Sequence, residues 1–378
     1  MNLGISSGVA VATIGLRIAA AFGQVTYTVT EIGTLGGPTS SALALNNTGT
    51  VVGISNTSAA PGVSRAFRWI DGGMIDLGTL GGPSAEAFDV NDAGQITGRA
   101  ETADSIPFNE TTHAFRWQDG TMLDLGTTGG QSSRGWAINA QGFVGGASQI
   151  CWYDPKNPGG PCFPVGNEYA FFWDGNSAID LGGLSGSSDS SALGINASAQ
   201  IVGQSIAVNG SATARHAVLW QDGQIADLGT LGGVNSWAFD VNDAGIVAGF
   251  SDTSTNLAHH PFIYEIETGQ MTDLGVPAGF SSAEALAINS AGQLVGAAFS
   301  CCEVVAFFYD GSAMHDLNEL IPPSSGWTLT EATDINDAGW IVGHGLHNGA
   351  ERGFLLKPAS AGCGADINCD GDVDLGDY

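Results

Sequence analysis

Basic side chains are scarce in this sequence, which has 10 lysines and arginines against 38 aspartates and glutamates in 378 residues. The formal net charge is −28, so a polyanion such as DNA would be repelled. The composition therefore argues against nucleic-acid binding. Charged residues of both signs make up only 13% of the chain, about half the usual share. Much of the surface must consist of uncharged polar residues and glycine.

Long apolar segments are also missing. Beyond the N-terminus, no segment approaches the roughly 20 apolar residues that a membrane helix requires, and the sequence predicts no membrane span. Residues 1–24 contain an apolar stretch from Val9 to Ala21, interrupted by Arg17, and resemble a signal peptide. This predicts a secreted or cell-surface protein. A short buried strand or a misplaced start codon is the alternative interpretation.

The six cysteines lack the paired C-x-x-C spacing of zinc sites. Two pairs bracket short segments that a disulfide could close, as in many secreted proteins. These pairs are Cys151 with Cys162 and Cys363 with Cys369. The adjacent Cys301 and Cys302 could bond to each other only with strain, and their state stays open.

Glycine, in contrast, is abundant, with 57 residues, about twice the usual frequency. Much of it belongs to a recurring heptapeptide of the form DLGTLGG, whose successive copies are 43 to 56 residues apart. The copies begin at Glu31, Asp76, Asp124, Asp180, Asp227, Asp273 and Asp316. Repeats of this size are typical of propellers and other repeat folds.

Two further motifs recur with the same count of seven. About ten residues after each heptapeptide comes a segment of the form A-I-N-x-x-G, with its asparagine at 46, 91, 139, 196, 242, 289 and 336. An aromatic run such as RAFRW or HAFRW precedes the next heptapeptide, from Arg65 to a last copy at Arg352. Each unit reads as four short strands separated by turn residues, with almost no helix.

Seven units of four strands predict an all-β, seven-bladed β-propeller over residues 25–357. The first heptapeptide has no aromatic strand before it, and the last aromatic strand has no heptapeptide after it. We therefore expect Tyr27–Ile32 to pair with Gly353–Leu356 and close the ring. A β-solenoid or a sandwich is the weaker alternative, because a solenoid needs capping repeats at both ends. We expect a monomer.

These motifs resemble the HAF repeats of bacterial extracellular proteins, through DLGTLGG, A-I-N-D-x-G and H-A-F-x-W. The resemblance covers roughly residues 25 to 357, most of the chain. It implies an extracellular location and supports the propeller fold. It implies no particular activity.

The last segment, residues 358–378, lacks the repeat motifs and ends in DINCDGDVDLGDY. It resembles a linker and the first calcium loop of a type I dockerin, with Gly371 at the sharp turn. The resemblance implies calcium ligands at Asp366, Asn368, Asp370, Asp372, Asp374 and Asp377. It also implies a cohesin-type partner if the parent protein completes the second loop, since this chain stops within the first. A disordered acidic end is the alternative.

Residues that recur in every unit are expected to be structural. The histidines of the aromatic runs, His113, His216 and His260, are assigned to the repeat, and inter-blade packing is expected of four tryptophans. These are Trp69, Trp117, Trp173 and Trp220.

Departures from the repeat are the better candidates for function. The insertion at 149–168 carries Trp152, Tyr153, Asp154 and Lys156. A second departure places His259 and His260 near Asp252, although adjacent histidines make a poor metal constellation. No nucleophile elbow, H-E-x-x-H or phosphate loop is present, and no catalytic residue is assigned.

Two functions follow from this pattern. The first is a non-catalytic binding or scaffold module for glycan or protein at the cell surface. The second is a secreted carbohydrate-active enzyme, a glycoside hydrolase or lyase, carrying the dockerin-like tail. Carboxylates gathered at the central channel and unique to one or two blades would favour the enzyme.

Overall fold

The computed structural model describes residues 26–58, 62–105, 111–152, 163–209, 212–255 and 258–359. Over these residues the chain forms a seven-bladed β-propeller in which every blade is a four-stranded antiparallel sheet. Helix in the described ranges is limited to one 3-10 turn, Leu317–Glu319. Within the same ranges we find no helix long and apolar enough to cross a membrane.

The first half of the ring contains blades 1 to 4, preceded by strand β1 at Tyr27–Glu31. Blade 1 consists of β2 (Gly36–Leu45), β3 (Val51–Thr57), β4 (Ser64–Ile70) and β5 (Gly73–Asp76). Blade 2 consists of β6 (Gly81–Val90), β7 (Ile96–Thr102), β8 (Thr112–Gln118) and β9 (Thr121–Gly126). Blade 3 consists of β10 (Ser133–Ile138), β11 (Val144–Trp152), β12 (Phe163–Trp173) and β13 (Ala178–Gly182). Blade 4 consists of β14 (Ser190–Ile195), β15 (Ile201–Asn209), β16 (Ala212–Gln221) and β17 (Gln224–Gly229).

The second half of the ring contains the remaining three blades. Blade 5 consists of β18 (Gly232–Val241), β19 (Ile246–Thr253), β20 (His259–Glu265) and β21 (Gln270–Asp273). Blade 6 consists of β22 (Ser282–Ile288), β23 (Leu294–Phe299), β24 (Val304–Tyr309) and β25 (Met314–Asp316). Blade 7 consists of β26 (Trp327–Ile335), β27 (Ile341–His347), β28 (Ala350–Pro358) and β1.

The ring closes as the sequence predicts. Strand β1 pairs antiparallel with β28, with Tyr27 opposite Pro358 and Glu31 opposite Phe354. The Ile32 N–H also donates to the Gly353 carbonyl, 3.0 Å away. The N-terminal strand therefore completes the last blade. Its pairing with β28 covers the strand edges that the two terminal segments would expose if they were apart.

Two faces of the ring follow from the strand order. On the turn face, the first strand of each blade turns into the second, and the third into the fourth. The third-to-fourth turns include Asp-Gly pairs in which both residues have positive φ, as at Asp71 (46°) and Gly72 (86°). On the loop face, the second strand connects to the third, and the fourth strand leads to the next blade.

The hydrophobic core lies between neighbouring blades. One buried cluster combines Val52 and Ala66 of blade 1 with Ile96 and Trp117 of blade 2. The phenylalanine of the aromatic run is at most 1% exposed in six blades, at Phe67, Phe115, Phe171, Phe262, Phe307 and Phe354. Because both faces of each sheet are covered by the adjacent sheets, consecutive residues of the motif are buried, as at Ala66 and Phe67.

The repeated asparagine joins the blades into one hydrogen-bonded ring. In each blade the side-chain Nδ2 donates to the backbone carbonyl of the equivalent asparagine in the next blade, at 2.8 to 3.2 Å. The last of these bonds runs from Asn336 to Asn46 and completes the circuit. Each Oδ1 also accepts the backbone N–H four residues further on, at 2.9 to 3.0 Å.

Replacing one member of this ring is expected to destabilise the whole protein. Asn139→Ala removes a bond to the Asn196 carbonyl and the acceptor for two backbone N–H groups, at Gln141 and Phe143. Because Asn139 is buried, the loss should lower the free energy of unfolding by about 2–4 kcal/mol. Urea denaturation measures it. The control is Asn176→Ala, at an exposed asparagine, and an equal loss in both variants would contradict the ring's importance.

Candidate functional site

The innermost strands of the blades line a central channel. Alternate residues of these strands are half-buried and face the channel, while the residues between them are buried against the neighbouring blade. Counting back from the repeated asparagine, the channel-facing positions are three and five residues earlier. A β-bulge shifts the register just before the asparagine, as between Ala87 and Asp89. Because of this bulge, the residue two positions before the asparagine also lines the channel, as Asp89 does.

The turn-face end of the channel carries three aspartates, each two residues before the repeated asparagine. They are Asp89, Asp240 and Asp334, and the other blades have alanine or glycine at this position. Asp89 accepts the N–H of Val90 within its own blade and that of Ile138 in the next blade, both at 2.7 Å. The other two bridge their neighbours in the same way. These carboxylates therefore bind adjacent blades together.

Burial raises the pKa of all three carboxyl groups. The pKa of Asp89 rises to about 7, although the N–H groups of Ile138 and Val90 act in the opposite direction. Burial likewise raises the pKa of Asp240 and, well above its usual value, that of Asp334. The mutual repulsion of these groups contributes, since the Asp89 and Asp240 charges both raise the pKa of Asp334. The channel therefore favours the protonated form of these carboxyl groups more than water does.

A second set of aspartates lies just outside the first. Asp92, Asp243 and Asp337 follow the repeated asparagine in the same three blades and are exposed. Their carboxylates accept backbone N–H groups of the preceding blade, such as Asn47 to Asp92 at 2.8 Å. The resulting cavity has a volume of about 270 Å³. Among the described residues, no group of three or more histidine, cysteine or acidic side chains is arranged to hold a metal ion.

The loop-face end of the channel is chemically different, because aromatic rings line it. The cavity here has a volume of about 710 Å³ and is mainly walled by half-buried apolar side chains from six blades. Phe88 and Trp136 lie with their ring centroids 4.5 Å apart, and Trp237 stacks on Phe250 at 4.8 Å. Phe239 packs beside Phe250. We call these five residues and the space between them the aromatic cavity.

The acidic side chains near the aromatic cavity differ in the basic residue that each one contacts. In blade 2, Glu86 forms two bonds with Arg99, at 2.8 and 2.9 Å, which neutralise its charge. Glu284, in the cavity wall, instead lies 3.2 Å from Nε2 of His259. Both glutamates stand five residues before the repeated asparagine.

Glu331 occupies the equivalent position in blade 7, next to Glu284 of blade 6. It faces His344 across strands β26 and β27. Burial raises the pKa of Glu331; the His344 charge lowers it, and the Glu284 charge raises it further. Glu284 and Glu331 therefore interact electrostatically on this side of the channel. The basic neighbour of each is a histidine, His259 for Glu284 and His344 for Glu331.

The repeated histidines and tryptophans lie where the sequence places them. Nδ1 of His113 is 2.9 Å from Asp124, the aspartate of the following heptapeptide, and His216 and His260 make the same contact. These pairs join the third and fourth strands of a blade. The four repeated tryptophans are 4–5% exposed and pack between blades, as predicted.

The two departures from the repeat both belong to the loop face. Residues 149–168 lengthen the β11–β12 hairpin, which pairs as far as Trp152 with Phe163. Residues 153–162 of this insertion lie outside the described ranges. His259 contacts Phe250 of the aromatic cavity, with ring centroids 5.0 Å apart, whereas Asp252 binds Asn235.

The calcium ligands expected in the C-terminal segment, and the signal peptide, lie outside the described residues. Sequence reasoning missed the aromatic cavity and the three channel aspartates. A signal for both was present, because the residues two, three and five positions before each repeated asparagine vary between units, whereas the residue four positions before it is alanine in six of the seven. Only the tertiary structure shows that these variable positions face one channel.

The channel aspartates should make stability depend on pH. The unfolded pKa of an aspartate is about 3.9, so folded Asp89 holds a proton that the unfolded chain releases between about pH 4 and 7. The free energy of unfolding therefore falls as pH rises through this window. Asp89→Ala, which copies Ala44 and Ala137 of other blades, should reduce this fall by about 1 kcal/mol per pH unit.

Urea denaturation at several values between about pH 5 and 7 measures the slope. Asp174→Ala is the control, because backbone N–H bonds from Ser177 and Asn176 lower the pKa of this half-buried group, and it titrates below the window. The assignment is wrong if Asp89→Ala keeps the full slope of the wild type.

Comparison with known proteins identifies the fold of this chain but not its activity. A family model described as a protein of unknown function, DUF3466, is similar to residues 183–358, which hold blades 4 to 6 and strands β26 to β28 of blade 7. No curated protein matches the sequence.

Solved structures share the architecture at low sequence identity. The extracellular domain of a hybrid two-component system from B. thetaiotaomicron is 11% identical, with a TM-score of 0.51, over 92% of this chain and 42% of that one. YCF48, solved bound to D1 peptide, is 12% identical, with a TM-score of 0.50, over 89% and 96%. An acylaminoacyl peptidase from Pyrococcus horikoshii is 11% identical, with a TM-score of 0.50, over 82% and 52%. The chain therefore spans about half the length of the peptidase and less than half of the two-component protein. At these identities the similarity establishes a common β-propeller fold.

Proposed function

We propose that this protein is a secreted or cell-surface, non-catalytic binding module whose ligand is a glycan held in the aromatic cavity. The observation that carries the proposal is the exposure of large rings, including Trp136 and Trp237, in a concave space. Ring faces left half-buried in a cavity cost free energy that a ligand with an apolar face would recover. A volume of about 710 Å³ lies within the range of small-molecule sites.

The polar groups around the rings suit hydroxyl-bearing ligands. Glu284 and Ser191 lie in the cavity wall and supply a carboxylate acceptor and a hydroxyl that can donate or accept. A sugar ring presents C–H groups on its faces and hydroxyl groups around its edge, so it could stack on the aromatic rings while its edge meets these side chains. The scarcity of basic residues disfavours sulfated or phosphorylated glycans as ligands. We therefore propose an uncharged glycan.

Removal of either tryptophan should weaken glycan binding. We expect Trp136→Ala and Trp237→Ala each to raise the dissociation constant about tenfold or more, because a stacked aromatic anchor contributes on the order of 1–2 kcal/mol. A glycan array on the full chain, with calcium and again with chelator, selects the ligand, and calorimetry measures its affinity. Trp340→Ala is the matched control, since this half-buried tryptophan lies against Lys357 at the turn-face end of blade 7 and outside the cavity. Unchanged affinity in both cavity variants would refute the site.

The carboxyl pair beside the cavity supports a second candidate, a secreted carbohydrate-active enzyme. Glu284 and Glu331 occur on neighbouring blades, and the raised pKa of Glu331 suits a general acid. Glycoside hydrolysis commonly uses such a pair. The same array, read for released reducing ends, tests this candidate. Turnover by the wild type that Glu331→Gln abolishes would replace the binding module with an enzyme.

We further propose that residues 358–378 bind calcium through the dockerin-like loop and dock a cohesin-type partner where the parent protein completes the second loop. The support is the sequence pattern, which supplies oxygen ligands at the loop positions that calcium requires. Calorimetric titration of the full chain with calcium should give one site, and Asp366→Ala combined with Asp370→Ala should abolish it. An unchanged titration in that double variant would exclude the loop.

A further inference from the structure

Cys301 and Cys302 lie side by side at the tip of the hairpin between β23 and β24, on the loop face. The hairpin ends in the strand pair Phe299 with Val304. The backbone N–H of Ser300 donates to the Glu303 carbonyl at 2.9 Å, so the two cysteines are the central residues of a tight turn. Both are exposed, and their sulfur atoms are 3.0 Å apart.

The side chain of Ser300 shapes this turn without any sulfur–sulfur bond. Its Oγ accepts the backbone N–H of Glu303 at 3.1 Å and lies 3.5 Å from the N–H of Cys302. The reduced thiols are therefore already held close together. A disulfide needs its sulfurs about 2 Å apart, so closing the bond requires a movement of about 1 Å.

A bond between these two cysteines would be easy to reverse. The Cα atoms of adjacent residues are about 3.8 Å apart, which is shorter than the roughly 4.4–6.8 Å that disulfides usually span. The strain makes such a bond more readily reduced than a structural disulfide. Exposure at a hairpin tip gives both oxidants and reductants access to the sulfurs.

We propose that Cys301 and Cys302 form a reversible redox-modification site, which a small-molecule disulfide converts from a dithiol into a disulfide between the two neighbours. The thiolate of one cysteine attacks a sulfur of the reagent and releases one thiolate, leaving a mixed disulfide. The second cysteine then attacks the protein-bound sulfur of that mixed disulfide and releases the other thiolate. The protein loses two hydrogen atoms, and the reagent is reduced to two thiols.

The two thiols form a hydrogen bond with each other, and this bond raises the pKa of Cys302. Either cysteine can make the first attack, and its neighbour then resolves the mixed disulfide. This inference does not depend on the proposed ligand. The turn nevertheless lies near the aromatic cavity, since Phe299 contacts His259 and His259 contacts Phe250.

The test is peptide-resolved mass spectrometry of the full chain. The protein is reduced, freed of reductant, treated with oxidised glutathione and digested without further reduction. We expect the peptide containing residues 301 and 302 to lose two hydrogen atoms and to carry little glutathione. In Cys302→Ser the mixed disulfide on Cys301 cannot be resolved, so its glutathione adduct should be about tenfold more abundant, because a neighbouring thiol acts at a high effective concentration.

Cys301→Ser provides the second variant, and it should likewise accumulate an unresolved glutathione adduct, on Cys302. Dithiothreitol should restore both thiols of the wild type. The proposal is overturned if the wild-type peptide keeps glutathione on either cysteine. It is also overturned if that peptide is linked to Cys151, Cys162, Cys363 or Cys369, or to a second chain.

Discussion

The repeated asparagine is the interaction on which the ring depends. Its Oδ1 fixes the turn that ends the innermost strand, and its Nδ2 reaches the same turn of the next blade. A single buried side chain thus joins local turn structure to assembly of the propeller. Because the bonds form a closed circuit from Asn46 through Asn336, loosening one blade leaves its neighbours with buried groups that lack partners. The β1–β28 pairing closes the ring on the outside, as the asparagines do around the channel.

This closure places few packing constraints on the channel-facing positions. Residues such as Ala42 and Ala87 must be small and apolar because they touch the adjacent blade. Their neighbours along the same strand, such as Leu43 and Phe88, face open space and can vary. The two ends of the channel have accordingly diverged, with aspartates that bridge blades at the turn face and aromatic rings at the loop face.

The difference between the two ends separates the structural role of the aspartates from the proposed binding site. Each channel aspartate accepts backbone N–H groups from two blades, so its first role is structural, and its raised pKa is the consequence of burying a carboxyl group there. The aromatic rings at the loop face pack partly on one another and leave surface uncovered. They lie on the same face as the insertion at 149–168 and the Cys301–Cys302 turn. The features proposed to have a function are therefore concentrated on one side of the ring.

The fold was largely predictable from the sequence because its determinants are local and repeated. Period, strand count, Asp-Gly turns and the mismatch between the two ends of the chain specify seven blades and a closing strand. Even the assignment of His113 and Trp117 to the repeat follows from their recurrence. The candidate site was not predictable in this way. Glu284 and Glu331 are 47 residues apart in the chain, and Trp136 and Trp237 are 101 apart. Only ring closure brings such positions around one channel, since no local propensity encodes which residues of different blades face each other across it.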